Sequence, residues 1–151
     1  MPFIYNWSEA EVHNPNITAY LTYLMLHDPH THLGMSDGWS SQKDLQRSWV
    51  VKPLLRFIQS KSLNLSYTLE AWGNILQRGQ SIGPHNHILR GCSDGCIAGV
   101  YYLTPGTLKF EDGGIFHLHP GQLMIFKGDK VHEVPPVSDL RVTIAFNLRL
   151  I

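Results

Sequence analysis

The pattern of hydrophobic and polar positions changes near residue 64, and the part before it predicts two helices. Apolar side chains recur at helical spacing after Asn14, whose following proline is typical of a helix start, and the pattern stops before Pro29. A second helix is predicted over about residues 42–60, because apolar positions again recur at helical spacing there. Pro53 lies inside this segment and predicts a kink or a restart of the helix.

The part of the chain from residue 66 onward predicts short strands separated by turns rich in glycine and proline. The predicted strands are Tyr67–Gln77, Ile97–Leu103, Thr107–Glu111, Gln122–Phe126 and Arg141–Leu150. Many short strands at this spacing are typical of an all-β barrel or sandwich, and we expect the two helices to cover one face of it.

Length and composition narrow the class of protein. The 151 residues match the size of one domain, and 43% hydrophobic residues are enough to build a core. The chain is therefore predicted to fold as a single domain over residues 1–151 and not to be disordered. Twelve basic and twelve acidic residues cancel, which disfavours a nucleic-acid partner, and no apolar stretch is long enough to span a membrane.

The cellular location is inferred from the N-terminus and the cysteines. Residues 1–11 carry polar and acidic side chains and lack the apolar stretch of a secretory signal. Two cysteines are too few for a disulfide scaffold, so a cytoplasmic protein is expected. Nine histidines are many for this length, and some of them are candidates for metal ligands.

The strongest local motif is a pair of histidines, His85 and His87, that follows a Gly-Pro pair. In an extended strand, residues two apart point to the same side, so both imidazoles can reach one metal ion. Imidazole suits iron, zinc, copper and nickel alike. The alternative is a polar strand end with two solvated histidines, and the residues alone leave both interpretations open.

A second candidate is a histidine followed nine residues later by an arginine. By itself His132 has the features of a surface histidine near a turn, but Arg141 opens an apolar strand, where a buried guanidinium needs an anion. The planar guanidinium matches a carboxylate, and Thr143 lies on the same strand face to donate a hydroxyl group. The alternatives pair Arg141 with an internal acidic residue or leave it at a solvated edge.

This order of motifs resembles the 2-oxoglutarate/Fe(II)-dependent dioxygenases. The closer likeness is to small, uncharacterised 2-oxoglutarate/Fe(II) oxygenases of the prolyl-hydroxylase-like branch, and it spans about residues 38–147. The segments that carry it are Gly38–Ser41, Trp72–Leu76, Pro84–His87, Ala98–Leu103, Pro120–Leu123, Phe126, His132–Pro136 and Arg141–Asn147.

The resemblance implies a mainly β fold, a double-stranded β-helix or jelly roll with the N-terminal helices packed on one face. Its mouth would hold Fe(II), with His85 and His132 as two of the ligands. The residues implied to bind the cosubstrate 2-oxoglutarate are Arg141, Thr143 and one of the adjacent Tyr101 and Tyr102, which alternate in a strand.

The third metal ligand departs from the pattern of the superfamily. The usual triad is two histidines and one carboxylate, which commonly lies two residues after the first histidine. Here that position is His87, a form that also occurs in the prolyl-hydroxylase-like branch. A nearby carboxylate such as Asp94 is the alternative, so the sequence leaves open whether the third ligand is His87 or an acidic residue.

The function implied by the resemblance is an Fe(II)- and 2-oxoglutarate-dependent oxygenase. It would hydroxylate an unidentified peptide or small molecule while 2-oxoglutarate is decarboxylated to succinate, with no catalytic residue beyond the metal centre. Two alternatives remain at this point. One is a cupin-like three-histidine dioxygenase that does not use 2-oxoglutarate, and the other is a non-catalytic jelly-roll binding module.

Overall fold

The computed structural model describes residues 2–61, 67–87 and 96–150, and this part of the chain is built mainly of β-strands. The helices are α1 (Ala10–His27) and α2 (Lys52–Ser60), and two short 3-10 turns, Leu45–Arg47 and Trp49–Val51, precede α2. The strands are β1 (Phe3–Asn6), β2 (Trp39–Ser40), β3 (Tyr67–Leu76), β4 (Ile82–His85), β5 (Cys96–Tyr102), β6 (Gly106–Phe110), β7 (Ile115–Leu118), β8 (Gln122–Lys127), β9 (His132–Val134) and β10 (Arg141–Leu150).

The strands form two antiparallel sheets. The larger sheet has the order β1-β8-β5-β10-β3-β2, and the smaller has the order β4-β9-β6-β7. Side chains of both sheets share one hydrophobic cluster, with Leu76 and Val100 from the larger sheet and Leu108 and Val134 from the smaller. Two antiparallel sheets around a common core agree with the jelly-roll-like architecture expected from the sequence.

The first helix begins about one turn earlier than predicted, at Ala10 instead of Asn14. Ala10 is buried, and the backbone N–H of buried Trp7 donates to the carbonyl oxygen of Gly121 at 2.9 Å, which anchors the chain just before the helix. Pro15 therefore lies inside the helix, where it removes one donor without ending it. Tertiary contacts outweigh the local start signal here.

The second predicted helix is α-helical only in its last nine residues, which form α2. Pro53 lies in the first turn of α2, where its missing N–H has no helical partner to lose. The residues before it form the two 3-10 turns. Of the kink and the restart that were predicted at Pro53, the structure shows the restart.

The five predicted strands are all present, as β3, β5, β6, β8 and β10, and their ends differ from the prediction by at most one residue. Five further strands were not predicted. These have only two to four residues each, which is too short for an alternating pattern to stand out in the sequence.

Strand β10 lies at the centre of the larger sheet, between β3 and β5. On one face, its apolar residues join a hydrophobic cluster that also contains Ile17 and Leu21 of α1. The helix approaches the sheet closely at Gly73, where a Cβ atom would lie 2.5 Å from the Leu21 Cδ2 atom. The other face of β10 looks toward the smaller sheet and carries polar side chains, which build the site described next.

Across the three described ranges, no helix combines the length and the apolar character that are needed to cross a membrane.

Candidate metal centre

Three histidines meet on the smaller sheet. His85 ends β4, His132 begins β9, and the two lie opposite each other in the antiparallel ladder. His87 follows two residues after β4, where its backbone N–H donates to the carbonyl oxygen of Gly128 at 2.7 Å. One ring nitrogen from each histidine lies within 4.8 Å of the others, so the three side chains predicted from the sequence can share one metal ion.

Each imidazole is oriented by a hydrogen bond from its Nδ1 atom. His85 and His132 each donate to the backbone carbonyl oxygen two residues earlier, at 2.8 Å and 2.9 Å. His87 donates to the Oδ1 atom of Asn147 at 2.7 Å. Because these oxygens only accept, the proton of each ring lies on Nδ1, and the Nε2 lone pair is left for a metal.

Burial keeps these histidines neutral. Loss of solvent lowers the pKa of His87 to about 3, with a further contribution from the two neighbouring imidazoles. Burial is also the main cause that lowers the pKa of His132, to about 4, and it lowers the pKa of His85 as well. The neutral imidazole is the form that binds a metal ion, so the site requires little proton release on binding.

A buried cation lies in the same cavity, and the described part of the chain offers it no counter-ion. Arg141 is 2% exposed, and its guanidinium donates to the hydroxyl oxygens of Thr143 and Tyr102, both at 3.2 Å. Its Nε atom has no acceptor, and among the described residues no carboxylate lies within ion-pair distance of it. A buried guanidinium held only by hydroxyl groups has the charge and geometry to bind an anion.

The same cavity has two further unpaired polar atoms. Trp72 and Asn74 lie two residues apart on β3, so both face the cavity, together with the three histidines and Arg141. The Nε1 atom of Trp72 and the Oδ1 atom of Asn74 are buried and have no hydrogen-bond partner. The remaining walls are apolar, so a few polar groups point into a cavity that is otherwise lined by carbon.

The two adjacent tyrosines point to opposite faces of the larger sheet. Tyr102 lies directly opposite Thr143 in the β5–β10 ladder and touches the guanidinium of Arg141. Tyr101 lies on the helix side, where its hydroxyl donates to the Oδ1 atom of Asn14 at 2.5 Å and burial raises its pKa. Of the two candidates in the sequence, the geometry therefore favours Tyr102, and Tyr101 is not in the cavity.

Asp94, the alternative third ligand, lies outside the described residues. Within residues 2–61, 67–87 and 96–150, the group of side chains close enough to hold one metal ion is the three histidines. No described carboxylate joins them.

Sequence reasoning did not identify Asn147 and Glu70, which support His87. Asn147 accepts from His87 and donates through Nδ2 to the Oε1 atom of Glu70 at 2.8 Å. Asn147 lies six residues after Arg141, an even number, so both side chains lie on the same face of β10. This alternation was the available signal, but the partner strand that brings Glu70 opposite was not apparent from the sequence.

Comparison with known proteins identifies the fold. No protein-family model matches the chain, and no curated protein matches its sequence. A prolyl-4-hydroxylase from Pseudomonas putida is 17% identical with a TM-score of 0.75, and the alignment covers 98% of this chain and 91% of that one. The chain has a prolyl-hydroxylase-like fold. The resemblance to the 2-oxoglutarate/Fe(II) dioxygenases that the sequence indicated is confirmed at the level of fold.

Two further solved structures share this fold at low identity. A prolyl hydroxylase from Trichoplax adhaerens, in complex with a hypoxia inducible factor oxygen degradation domain peptide fragment, is 15% identical with a TM-score of 0.75, covering 98% of this chain and 83% of that one. HygX from Streptomyces hygroscopicus, with nickel, 2-oxoglutarate and hygromycin B bound, is 11% identical with a TM-score of 0.72, covering 98% and 82%.

Proposed function

We propose that this protein is an Fe(II)- and 2-oxoglutarate-dependent oxygenase that hydroxylates a peptide or a small molecule. The observation that carries the proposal is that one cavity contains both the three histidines and the buried Arg141, which has no carboxylate partner among the described residues. The three histidines can bind a metal, and Arg141 can bind a carboxylate. A cosubstrate with a metal-chelating end and a distal carboxylate fits both at once.

The histidines fit a ferrous ion by their chemistry. All three are neutral, and hydrogen bonds at Nδ1 leave the Nε2 atoms of His85, His87 and His132 free. Imidazole is a ligand that iron accepts readily, and three protein ligands leave other positions open. These residues hold and orient the metal, and no protein nucleophile is needed.

Arg141 fits the distal carboxylate of 2-oxoglutarate. Its guanidinium offers N–H groups in a planar arrangement that suits a carboxylate, while Thr143 and Tyr102 position it and can hydrogen-bond the same anion. When bound, Fe(II) with 2-oxoglutarate and O2 supplies the oxidative chemistry, in which 2-oxoglutarate is decarboxylated to succinate and one oxygen atom enters the substrate. The apolar walls would limit the contact of this reaction with water.

The prime substrate is proposed only as a class. The complexes of the structural neighbours contain a peptide in one case and hygromycin B in another, so this fold accepts both kinds of ligand. We propose a peptide or a small molecule for this chain as well. The cytoplasmic location and the single domain over residues 1–151 stay predictions from the sequence.

The set of three neutral histidines favours one alternative, a cupin-like dioxygenase that uses O2 without 2-oxoglutarate. Such an enzyme has no need of a buried guanidinium next to its metal, so Arg141 argues against it. A binding module without turnover is the other alternative.

Anaerobic titration of the Fe(II)-loaded protein with 2-oxoglutarate tests the proposal. A keto acid that chelates ferrous iron gives a weak visible charge-transfer band. We expect this band in the wild type, and in Arg141→Ala only at roughly 10- to 100-fold higher concentrations of 2-oxoglutarate. Arg149→Ala is the matched control, because Arg149 is exposed on the same strand and should leave the band unchanged.

The outcomes separate the three functions. Iron binding without the band would support the three-histidine dioxygenase. A band without formation of succinate on admission of O2, in the presence of candidate substrates or in their absence, would support the binding module. The band followed by succinate formation supports the oxygenase.

A further inference from the structure

The hydrogen-bond acceptor of His87 differs in kind from those of the other two histidines. His85 and His132 donate to backbone carbonyl oxygens, which can only accept a hydrogen bond. His87 donates to the side-chain amide of Asn147. An amide has an oxygen that accepts and a nitrogen that donates, and rotation by half a turn exchanges them. The orientation of Asn147 therefore decides which atom faces the imidazole.

Glu70 determines that orientation. The β3–β10 ladder places Glu70 directly opposite Asn147, and the Nδ2 atom of Asn147 donates to the Oε1 atom of Glu70 at 2.8 Å. A carboxylate only accepts, so the amide nitrogen must point toward Glu70 and the amide oxygen toward His87. Asn147 is 2% exposed and its bond to His87 is buried, so water has little access to the amide, whereas the Glu70 carboxylate is half-buried.

The direction of this chain of hydrogen bonds has a consequence for the metal site. An amide oxygen facing Nδ1 requires the proton of His87 on Nδ1, which leaves the Nε2 lone pair free. With the amide reversed, its nitrogen would donate to Nδ1, and the proton would move to Nε2, where it blocks metal binding through that atom. The tautomer of a metal-binding histidine is generally set by the partner of its other nitrogen.

We propose that Glu70, acting through Asn147, fixes the tautomer of His87 that binds the metal. Glu70 and Asn147 are thus positioning residues, and the inference rests on the proposed metal site. The same arrangement brings a negative charge within two hydrogen bonds of a ligand set that has no carboxylate of its own among the described residues. A hydrogen bond to an ionised acceptor polarises the bonds behind it, which makes His87 a stronger donor to the metal.

The tautomer can be read directly in the metal-free protein. Long-range proton–nitrogen correlation spectra of protein labelled with 15N-histidine distinguish a proton on Nδ1 from one on Nε2. At neutral pH we expect the Nδ1–H form alone for His87 in the wild type. In Glu70→Gln we expect a mixture, because glutamine can donate as well as accept and no longer dictates the orientation of Asn147.

Metal affinity gives the second readout. Loss of a partner that orients a metal-binding histidine commonly weakens binding about 10- to 100-fold. We therefore expect the dissociation constant for Co2+ or Ni2+, measured by competition with a chelating dye, to rise at least about tenfold in Glu70→Gln.

Glu133→Gln is the matched control. Glu133 is adjacent to His132 in the chain, but its carboxylate lies 3.7 Å from the Nζ atom of Lys109 on the surface. Like Glu70→Gln, this substitution removes one negative charge near the histidines. It leaves the hydrogen bonds from Glu70 through Asn147 to His87 unchanged. We expect unchanged histidine spectra and an unchanged dissociation constant.

A double variant, Asn147→Asp with Glu70→Gln, moves the carboxylate into direct contact with His87. A carboxylate at position 147 can only accept from the Nδ1 atom of His87, whatever residue occupies position 70. The wild-type tautomer of His87 and at least the wild-type affinity for Co2+ or Ni2+ should therefore return. If Glu70→Gln alone does not fold, the double variant still tests whether the acceptor that faces His87 fixes its tautomer.

Two results would overturn the inference. One is a Glu70→Gln protein that keeps the pure Nδ1–H form of His87 and the wild-type dissociation constant. The other is a double variant that restores neither. Neither readout uses 2-oxoglutarate, so a protein that binds metal but gives no charge-transfer band would refute the proposed oxygenase and leave the role of Glu70 standing.

Discussion

The two faces of β10 are buried to a similar degree, but one is apolar and the other carries polar side chains that need partners. On the helix side lie Val142, Ile144, Phe146 and Leu148, all within 1% of complete burial. On the cavity side lie Arg141, Thr143, Ala145 and Asn147, which are at most 5% exposed. The first face buries carbon against carbon and needs no partner. The second buries the polar groups of Arg141, Thr143 and Asn147, each of which costs free energy unless a partner is supplied.

We therefore expect the helix-side face to contribute mainly to stability and the cavity-side face to the proposed function. Removal of apolar surface from water stabilises the fold through the helix-side face. The cavity-side face retains a buried guanidinium that has no counter-ion among the described residues. We expect this charge to lower the stability of the ligand-free protein, and under the proposed function it would bind an anion. Substitutions on the two faces should therefore affect different measurements.

The largest effect on the helix side is expected for Phe146→Ala. Phe146 is fully buried, so the loss of its ring should lower the free energy of unfolding by about 3–5 kcal/mol. Urea denaturation followed by circular dichroism measures the change. Arg149→Ala, at an exposed position of the same strand, should stay within about 0.5 kcal/mol of the wild type. A loss below about 1 kcal/mol for Phe146→Ala would show that this face does not carry the stability.

On the cavity side the largest effect is expected for His132→Ala. Loss of one of three ligands should weaken Co2+ binding by more than about 100-fold, which exceeds the usual effect of losing a ligand's hydrogen-bond partner. Competition with a chelating dye measures the affinity. His117→Ala is the control, because His117 belongs to a second His-x-His pair but is exposed and bonded to Thr107. Equal affinity in the two variants would contradict the proposed metal site.

Arg141→Met is expected to move two measurements in opposite directions. The affinity of the metal-loaded protein for 2-oxoglutarate should fall roughly 10- to 100-fold, the usual value of a charge-assisted hydrogen-bonded contact. The free energy of unfolding without metal or ligand should rise by about 1 kcal/mol, because an apolar side chain replaces a buried charge that has no counter-ion among the described residues. Calorimetry and urea denaturation measure the two quantities. A fall in both would indicate that Arg141 serves the fold.

The smallest effects are expected from a matched pair of hydroxyl deletions. Tyr102→Phe removes the hydroxyl that accepts from Arg141 and should lower the affinity for 2-oxoglutarate about threefold to tenfold. Tyr101→Phe removes the bond to Asn14 on the helix side and should lower the free energy of unfolding by about 1 kcal/mol. The affinity of Tyr101→Phe for 2-oxoglutarate should equal that of the wild type. If Tyr101→Phe lowered the affinity for 2-oxoglutarate and Tyr102→Phe left it unchanged, the two faces of the sheet would not be independent.

The long strands could be predicted from the sequence because each is an extended apolar run bounded by turn residues. The ends of β10 were predicted correctly, and alternation along it already placed Arg141 and Thr143 on one face. Alternation also required Tyr101 and Tyr102 to point apart, but it does not say which face borders the cavity. That choice depends on how the two sheets pack.

Contacts between distant strands could not be predicted in the same way. His85 and His132 meet because β4 pairs with β9 in one particular register, and Glu70 meets Asn147 because β3 pairs with β10. No local pattern encodes a register between segments so far apart in the chain. The early start of α1 has a similar cause, since it is held by a contact between Trp7 and Gly121.

The central position of β10 makes the protein sensitive to changes in chain length. Because β10 is hydrogen-bonded on both sides, an insertion or deletion of one residue near Thr143 cannot be absorbed by sliding the strand at an edge. Such a change would turn the guanidinium toward the helices and a valine toward the cavity. Insertions and deletions should therefore be tolerated in the loops and not within this strand, whatever residues are used.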